Sequence, residues 1–199
     1  NPETQLRNRY PQRSRASKSP LKAIEFRMIS HLAKFIFFRL MGWSIEGDFP
    51  PLKKFIVAVF PHTRNMDFII GVLTRAVINK KISYVGKKEL FNPLTGWFFR
   101  ALGGTPINRN SKENKVLAIA QIFKEKDTFR LAIAPEGTRK NVERWKTGFY
   151  YIALEADIPI LLVHFNYSSK KVSFLKLFDP TGDIEKDLKE MKAYFNRAS

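Results

Sequence analysis

Two short polar clusters, each standing directly after an apolar run, hold the residue types best suited to chemistry. The first is Pro61-His62-Thr63-Arg64-Asn65-Met66-Asp67 and the second is Pro135-Glu136-Gly137-Thr138-Arg139. If the first loop turns into a helix, the Asp67 carboxylate can fold back onto the His62 imidazole. It would accept the Nδ1 proton, fix the tautomer and leave Nε2 to act as a base. It would also stabilise the imidazolium formed during a reaction. No G-x-S-x-G elbow and no cysteine accompanies the pair, so the base would act on a substrate hydroxyl. The spacing alone is also met by a hydrogen-bonding loop histidine followed by an N-cap aspartate.

The second cluster reads as an anion site. Gly137 permits a positive φ or a close backbone approach. Exposed N–H groups in such a loop can hold an anion, and Arg139 can grip a phosphate bidentately. A tight turn with a surface ion pair is the bland alternative. Gly103-Gly104-Thr105-Pro106-Ile107-Asn108-Arg109 sets a further arginine at the end of a short strand. Lys87-Lys88-Glu89-Leu90 adds cations after another. Each of these last two stretches is also met by an ordinary solvated turn.

Composition narrows the classes. The chain has 199 residues, with 35 Lys+Arg against 18 Asp+Glu, for a net charge of +17. Its 44% hydrophobic content is that of a globular domain. With no cysteine there is no disulfide framework, thiolate metal site or catalytic thiol. The 3 histidines are scattered, so no metal site is expected. The charge excess fits an anionic membrane surface, a phosphorylated substrate or nucleic acid.

The elements that must position these clusters follow from the hydrophobic pattern. Residues 1–20 are rich in Arg, Pro and Ser and read as a flexible basic arm. From Leu21 to Met41 an apolar arc of Leu21, Ile24, Met28, Ile29, Leu32, Phe35 and Ile36 recurs at helical spacing, with Phe26, Phe37 and Phe38 off it. The longest apolar run there, Phe35–Phe38, is far shorter than the ~18–20 residues a spanning helix needs. Residues 21–42 are therefore expected to lie as an amphipathic helix on a membrane surface, or else to pack as an ordinary core helix. After Gly42, strands are predicted at 55–60, 82–85, 105–108, 129–134 and 158–165, with an edge strand at 172–178. Helices are predicted at 67–77, 97–102, 114–123, 145–156 and 183–195. This alternation gives an α/β fold with a mixed, largely parallel sheet flanked by helices. Residues 43–199 form one domain.

Together, and in this order, the blocks resemble those of the glycerolipid acyltransferase family that includes the 1-acylglycerol-3-phosphate acyltransferases. H-x-x-x-x-D is His62 to Asp67, the G-x-x-x-x-x-R block is Gly103 to Arg109, and F-P-E-G-T-R appears as Ala134 to Arg139. Ile158-Pro159-Ile160-Leu161-Leu162-Val163 stands for V-P-I-x-P-V, the spacer Tyr84-Val85-Gly86-Lys87-Lys88-Glu89-Leu90 is similar to A-K-x-E-L, and Trp145–Phe149 to F-K-x-G-F. The departures are Ala134 for Phe, Asn108 for Asp and Leu162 for the second Pro.

The resemblance implies transfer of a fatty acyl group from a thioester, on CoA or acyl carrier protein, to the free hydroxyl of 1-acylglycerol-3-phosphate, without a further cofactor. It makes His62 and Asp67 the catalytic pair. It makes Arg139, with Gly137 and Thr138, the holder of the acceptor phosphate, with Lys87 and Arg109 as secondary ligands. Glu136 would organise Arg139 or its loop. The expected partners are a lysophospholipid, the thioester donor and a membrane surface, with no nucleic acid, and the expected placement is peripheral on the cytoplasmic face. The alternatives are another lysophospholipid or hydroxylated lipid acceptor, a thioesterase, or a non-enzymatic basic module.

Overall fold

A computed structural model of the chain describes residues 30–107, 115–137 and 145–198. Seven strands form one sheet in the order β1-β7-β6-β2-β5-β3-β4. They are β1 Ser44–Glu46, β2 Lys54–Phe60, β3 Ser83–Lys87, β4 Gly104–Ile107, β5 Phe129–Ile133, β6 Ile160–Asn166 and β7 Lys171–Phe178. The run from β6 to β4 is parallel throughout. β7 returns antiparallel to β6, and β1 lies parallel to β7. The predicted edge strand at 172–178 is therefore not an edge, because β1 covers it. Three residues are too few to display an alternation, which is why β1 does not show in the sequence.

The two central strands are apolar on both faces, as strands in the middle of a three-layer fold must be. From β2, Ile56 and Ala58 enter one core while Phe55 and Val57 enter the other. In β6, Ile160 and Leu162 face the first and Leu161, Val163 and Phe165 the second. α1 (Met66–Val77) covers the second face, burying Ile70 and Val77. α2 (Gly96–Ala101) is a short turn of helix between β3 and β4. α3 (Lys115–Glu125), α4 (Gly148–Glu155) and α5 (Ile184–Ala198) cover the first face through Phe123, Phe149, Tyr150, Met191 and Phe195.

Residues 30–34 are α-helical and Phe35–Leu40 continue as π-helix against α1. Here the predicted apolar arc is corrected. Phe37, expected off the arc, is fully buried with Ala33, while Leu32 and Phe35, expected on it, are exposed. A π-helix bonds i to i+5, as Met41 N–H does to the Ile36 carbonyl at 2.9 Å. The buried face is instead that of Ser30, Ala33 and Phe37, at i, i+3 and i+7, on a different side of the helix from the predicted arc. Residues 1–29, which include the predicted arm and the first part of the helix, lie outside the described residues.

The topology creates a crevice between β2 and β5. These neighbours are parallel, yet β2 leads into α1 on one face and β5 leads towards α4 on the other. Chain ends that depart to opposite faces leave a gap beyond the carboxyl ends of the strands, where ligands bind in such sheets. Both polar clusters begin at this gap.

Candidate active site

His62 follows β2, and its side chain keeps 26% of its accessible surface. Asp67 sits in the first turn of α1 and is 2% exposed. Its Oδ2 lies 3.4 Å from His62 Nδ1 and also accepts the Arg64 backbone N–H at 2.7 Å. The second bond closes the loop on itself, because Asp67 N–H donates back to the Arg64 carbonyl at 3.2 Å. One carboxylate thus ties the loop to the helix entry and faces the imidazole. The alternative reading of Asp67 as the N-cap is not what forms: Asn65 holds that position, with no side-chain cap bond.

The other carboxylate oxygen, Oδ1, accepts the hydroxyl proton of Tyr167, from the turn after β6. Burial first, and then this hydrogen bond and the Asp67 charge, push the Tyr167 hydroxyl well above the usual phenol range, with Arg64 opposing. Tyr167 therefore remains a donor at working pH. Its ring meets Trp43 edge-on at 5.1 Å, and the Arg64 guanidinium lies 4.1 Å above it.

Glu136 joins the two clusters. It is 1% exposed, and its Oε2 accepts the His62 backbone N–H at 2.8 Å. The carboxylate after β5 thereby holds the loop after β2 from across the crevice. Burial, and more weakly the charge of Asp67, raise the Glu136 carboxyl above the usual range, while the His62 N–H opposes the rise. Its Oε1 has no hydrogen-bond partner among the described residues. The next residue, Gly137, takes φ +62°, and a Cβ there would stand 2.5 Å from the Lys146 side chain. The Lys146 N–H donates to the Pro135 carbonyl at 2.7 Å, tying the turn to the segment before α4.

The structure therefore brings His62, Asp67 and Glu136 together, with Gly137 beside them. Lys87 ends β3 on the same carboxyl edge, one strand beyond β5. Its side chain, together with Arg109, Thr138 and Arg139, lies outside the described residues. No group of three or more His, Asp or Glu able to hold a metal occurs among the described residues. Tyr167 and Arg64 are the site residues that sequence reasoning missed. The available signals were a tyrosine immediately past a buried strand and an arginine inside the first cluster.

A family model described as Acyltransferase matches residues 44–165, more than half of the chain. The chain belongs to the acyltransferase family. The 1-acyl-sn-glycerol-3-phosphate acyltransferases of Salmonella typhimurium and of Escherichia coli K12 are each 29% identical to it over 122 residues, which is 58% of this chain and 49% of theirs. The chain thus spans about half the length of the curated relatives it matches. A crystal structure titled as the 1-acyl-sn-glycerophosphate (LPA) acyltransferase, PlsC, from Thermotoga maritima superposes with a TM-score of 0.63 at 22% identity, covering 92% of this chain and 82% of that one. The expected fold class is borne out.

One departure from this acyltransferase family's pattern now has a place. Leu162 is fully buried in mid-strand between β2 and β7, so the missing proline is replaced by core packing and not by a group at the carboxyl edge.

Proposed function

We propose that the protein transfers a fatty acyl group from a CoA or acyl-carrier-protein thioester to the free hydroxyl of 1-acylglycerol-3-phosphate, giving phosphatidic acid. The observation that carries this reading is the three-sided support of the catalytic loop. Asp67 faces Nδ1 of His62, Glu136 holds the His62 backbone, and Tyr167 holds Asp67. An imidazole oriented through Nδ1 turns Nε2 to the substrate. Nε2 takes the proton of the acceptor hydroxyl as its oxygen attacks the thioester carbonyl. The C–S bond then breaks, and the departing thiolate receives the proton back from the imidazolium. General-base help of this kind is worth about 10²–10⁴ in rate. Arg139 and Gly137, with Thr138, serve the acceptor phosphate, and Lys87 and Arg109 are secondary ligands.

The surface around the site suits a peripheral enzyme that draws its substrates from a leaflet. Leu32, Phe35, Phe38 and Leu40 are exposed on the N-terminal helical segment beside exposed Lys34 and Arg39. That segment packs against α1, whose Met66 and Ile69 are exposed next to the catalytic Asp67. Apolar rings among cations are the composition of a face that lies in the headgroup layer. No helix among the described residues is long and apolar enough to cross a membrane.

The deciding experiment is an acyl-transfer assay with lysophosphatidic acid against other lyso-acceptors, using the His62→Ala protein as control. Phosphatidic acid formed by wild type and not by His62→Ala supports the reading. An active His62→Ala protein overturns the mechanism, preference for another lyso-acceptor reassigns the substrate, and fatty acid released without lipid product identifies a thioesterase.

A further inference from the structure

We propose that Arg64, set over the ring of Tyr167, is an anion-binding arm of the active site that holds a phosphate group of the substrates. The inference rests on the acyltransferase reading above and gives a role to a residue inside the first cluster to which the resemblance assigns none.

Both ends of Arg64 are fixed. Its backbone N–H and carbonyl are each bonded to Asp67. Its guanidinium carbon stands 4.1 Å from the centre of the Tyr167 ring. That ring is itself held by the hydroxyl bond to Asp67 and by the edge of Trp43. A guanidinium stacked on a ring engages its face and leaves the N–H groups at its rim available.

Two other arginines show what a structural guanidinium looks like in this fold. Arg75 donates to the carbonyls of Leu102 and Ile82, and Arg130 donates twice to the carbonyl of Leu52. Both cations are desolvated by burial. The Arg64 guanidinium is exposed, and among the described residues it donates no hydrogen bond and joins no ion pair. It is therefore held in one place with its donors unspent, two residues from the proposed base.

The chemistry of a planar fork of donors selects an oxyanion, and phosphate above all. In 1-acylglycerol-3-phosphate the reacting hydroxyl and the phosphate ester are on adjacent carbons. A group that grips the phosphate must consequently stand close to the base, and Arg64 belongs to the same short loop as His62. The phosphopantetheine arm of either thioester donor is the second source of the same chemistry, and kinetics separate the two.

The test uses the full chain as wild type, Arg64→Ala and Arg64→Lys, varying lysophosphatidic acid and the thioester in turn. Arg64→Ala is expected to raise the KM for lysophosphatidic acid about tenfold or more, with kcat changed far less, as for loss of a charge-assisted hydrogen bond. Arg64→Lys should recover only part, because a point charge cannot replace the fork. A rise confined to the KM for the thioester supports the phosphate site and assigns it to the donor. Unchanged KM values for both substrates overturn the proposal. A readout that does not need turnover is the broadening of the phosphorus resonance of glycerol 3-phosphate by the protein. It should be present with wild type and weaker with Arg64→Ala, and equal broadening overturns the proposal. Wild-type protein that broadens this resonance but leaves lysophosphatidic acid unacylated overturns the assigned reaction and not the anion site.

Discussion

Replacing Tyr167 by Phe separates orientation of the proposed catalytic pair from binding. The substitution removes the hydroxyl that donates to Oδ1 of Asp67 and keeps the ring on which Arg64 and Trp43 rest. The Asp67 side chain is fully buried, so water cannot freely take the place of the lost donor. A hydrogen bond to a charged group contributes about 1.5–3 kcal/mol. If roughly half of this is expressed in the transition state, kcat falls about four- to twelvefold. The same loss lowers Tm by roughly 3–12 °C for a chain of this size. The KM for lysophosphatidic acid should stay near wild type, the reverse of the split expected for Arg64→Ala. An alkaline titration gives an independent check. The folded-state pKa of Tyr167 lies above its unfolded value of about 10. The corresponding stability is full below pH ~10 and is lost as pH rises towards the folded value. Tyr150, pushed up to about 12 by burial and by its bond to Asp187, adds to the same loss. Tyr167→Phe should flatten that decline in part. Full kcat in Tyr167→Phe, or a matching rise in KM, would refute the reasoning.

Three more predictions follow from the same geometry. Glu136→Gln keeps an acceptor for the His62 N–H and removes a buried charge, so activity should stay within a few-fold of wild type, while Glu136→Ala should lose tenfold or more. Because the Glu136 pKa is raised in the fold, its ionisation destabilises the protein as pH rises through the folded value. The Gln variant should therefore gain Tm relative to wild type over that range, and equal kinetic losses in Gln and Ala would show instead that the charge itself is used. Gly137→Ala should lower kcat/KM and Tm together, since φ is +62° and the new Cβ meets Lys146; unchanged values for both would contradict the strained turn. Leu32→Glu combined with Phe35→Glu should weaken binding to vesicles containing anionic lipid without lowering Tm, because both side chains are exposed; undiminished vesicle binding would remove this face from the membrane contact.

The sheet was legible because its central strands announce themselves. Phe55–Phe60 and Ile160–Phe165 are uninterrupted apolar runs, and a strand covered on both faces requires that pattern. β1 was not legible, since three residues joined to β7 by pairing distant in sequence leave no periodic trace. The N-terminal helical segment was read on the wrong face: Ser30, Ala33 and Phe37 turn to the core at ordinary helical spacing while Leu32 and Phe35 point outward, because the larger apolar side chains do not show which side the neighbouring elements will cover. Within the site, His62 and Asp67 were readable because their contact is made within one loop. The function of Glu136 was not, since its acceptor role depends on β5 lying beside β2, a pairing 74 residues apart in the chain. Tyr167 is 100 residues from Asp67 and reaches it only because β6 flanks β2 on the other side.

That arrangement explains why two buried carboxylates can share one histidine loop without being equivalent. Among the described residues, Asp67 is approached by the Arg64 N–H, the Tyr167 hydroxyl and His62 Nδ1, whereas Glu136 is approached by the His62 N–H and its Oε1 has no partner. Hydrogen bonds to a carboxylate favour its charged form, and desolvation together with a neighbouring negative charge disfavours it. The donors are concentrated on the carboxylate that must answer an imidazolium. The second carboxylate has its pKa raised by burial and by the charge of the first, with the His62 N–H opposing the rise. A base oriented by a single anion gains that anion's full attraction when it takes up a proton. The division of labour follows from strand order, which sends β2 and β5 to opposite faces and leaves Glu136 walled in between them, while Asp67, one helical turn into α1, collects donors from β6 and from its own loop.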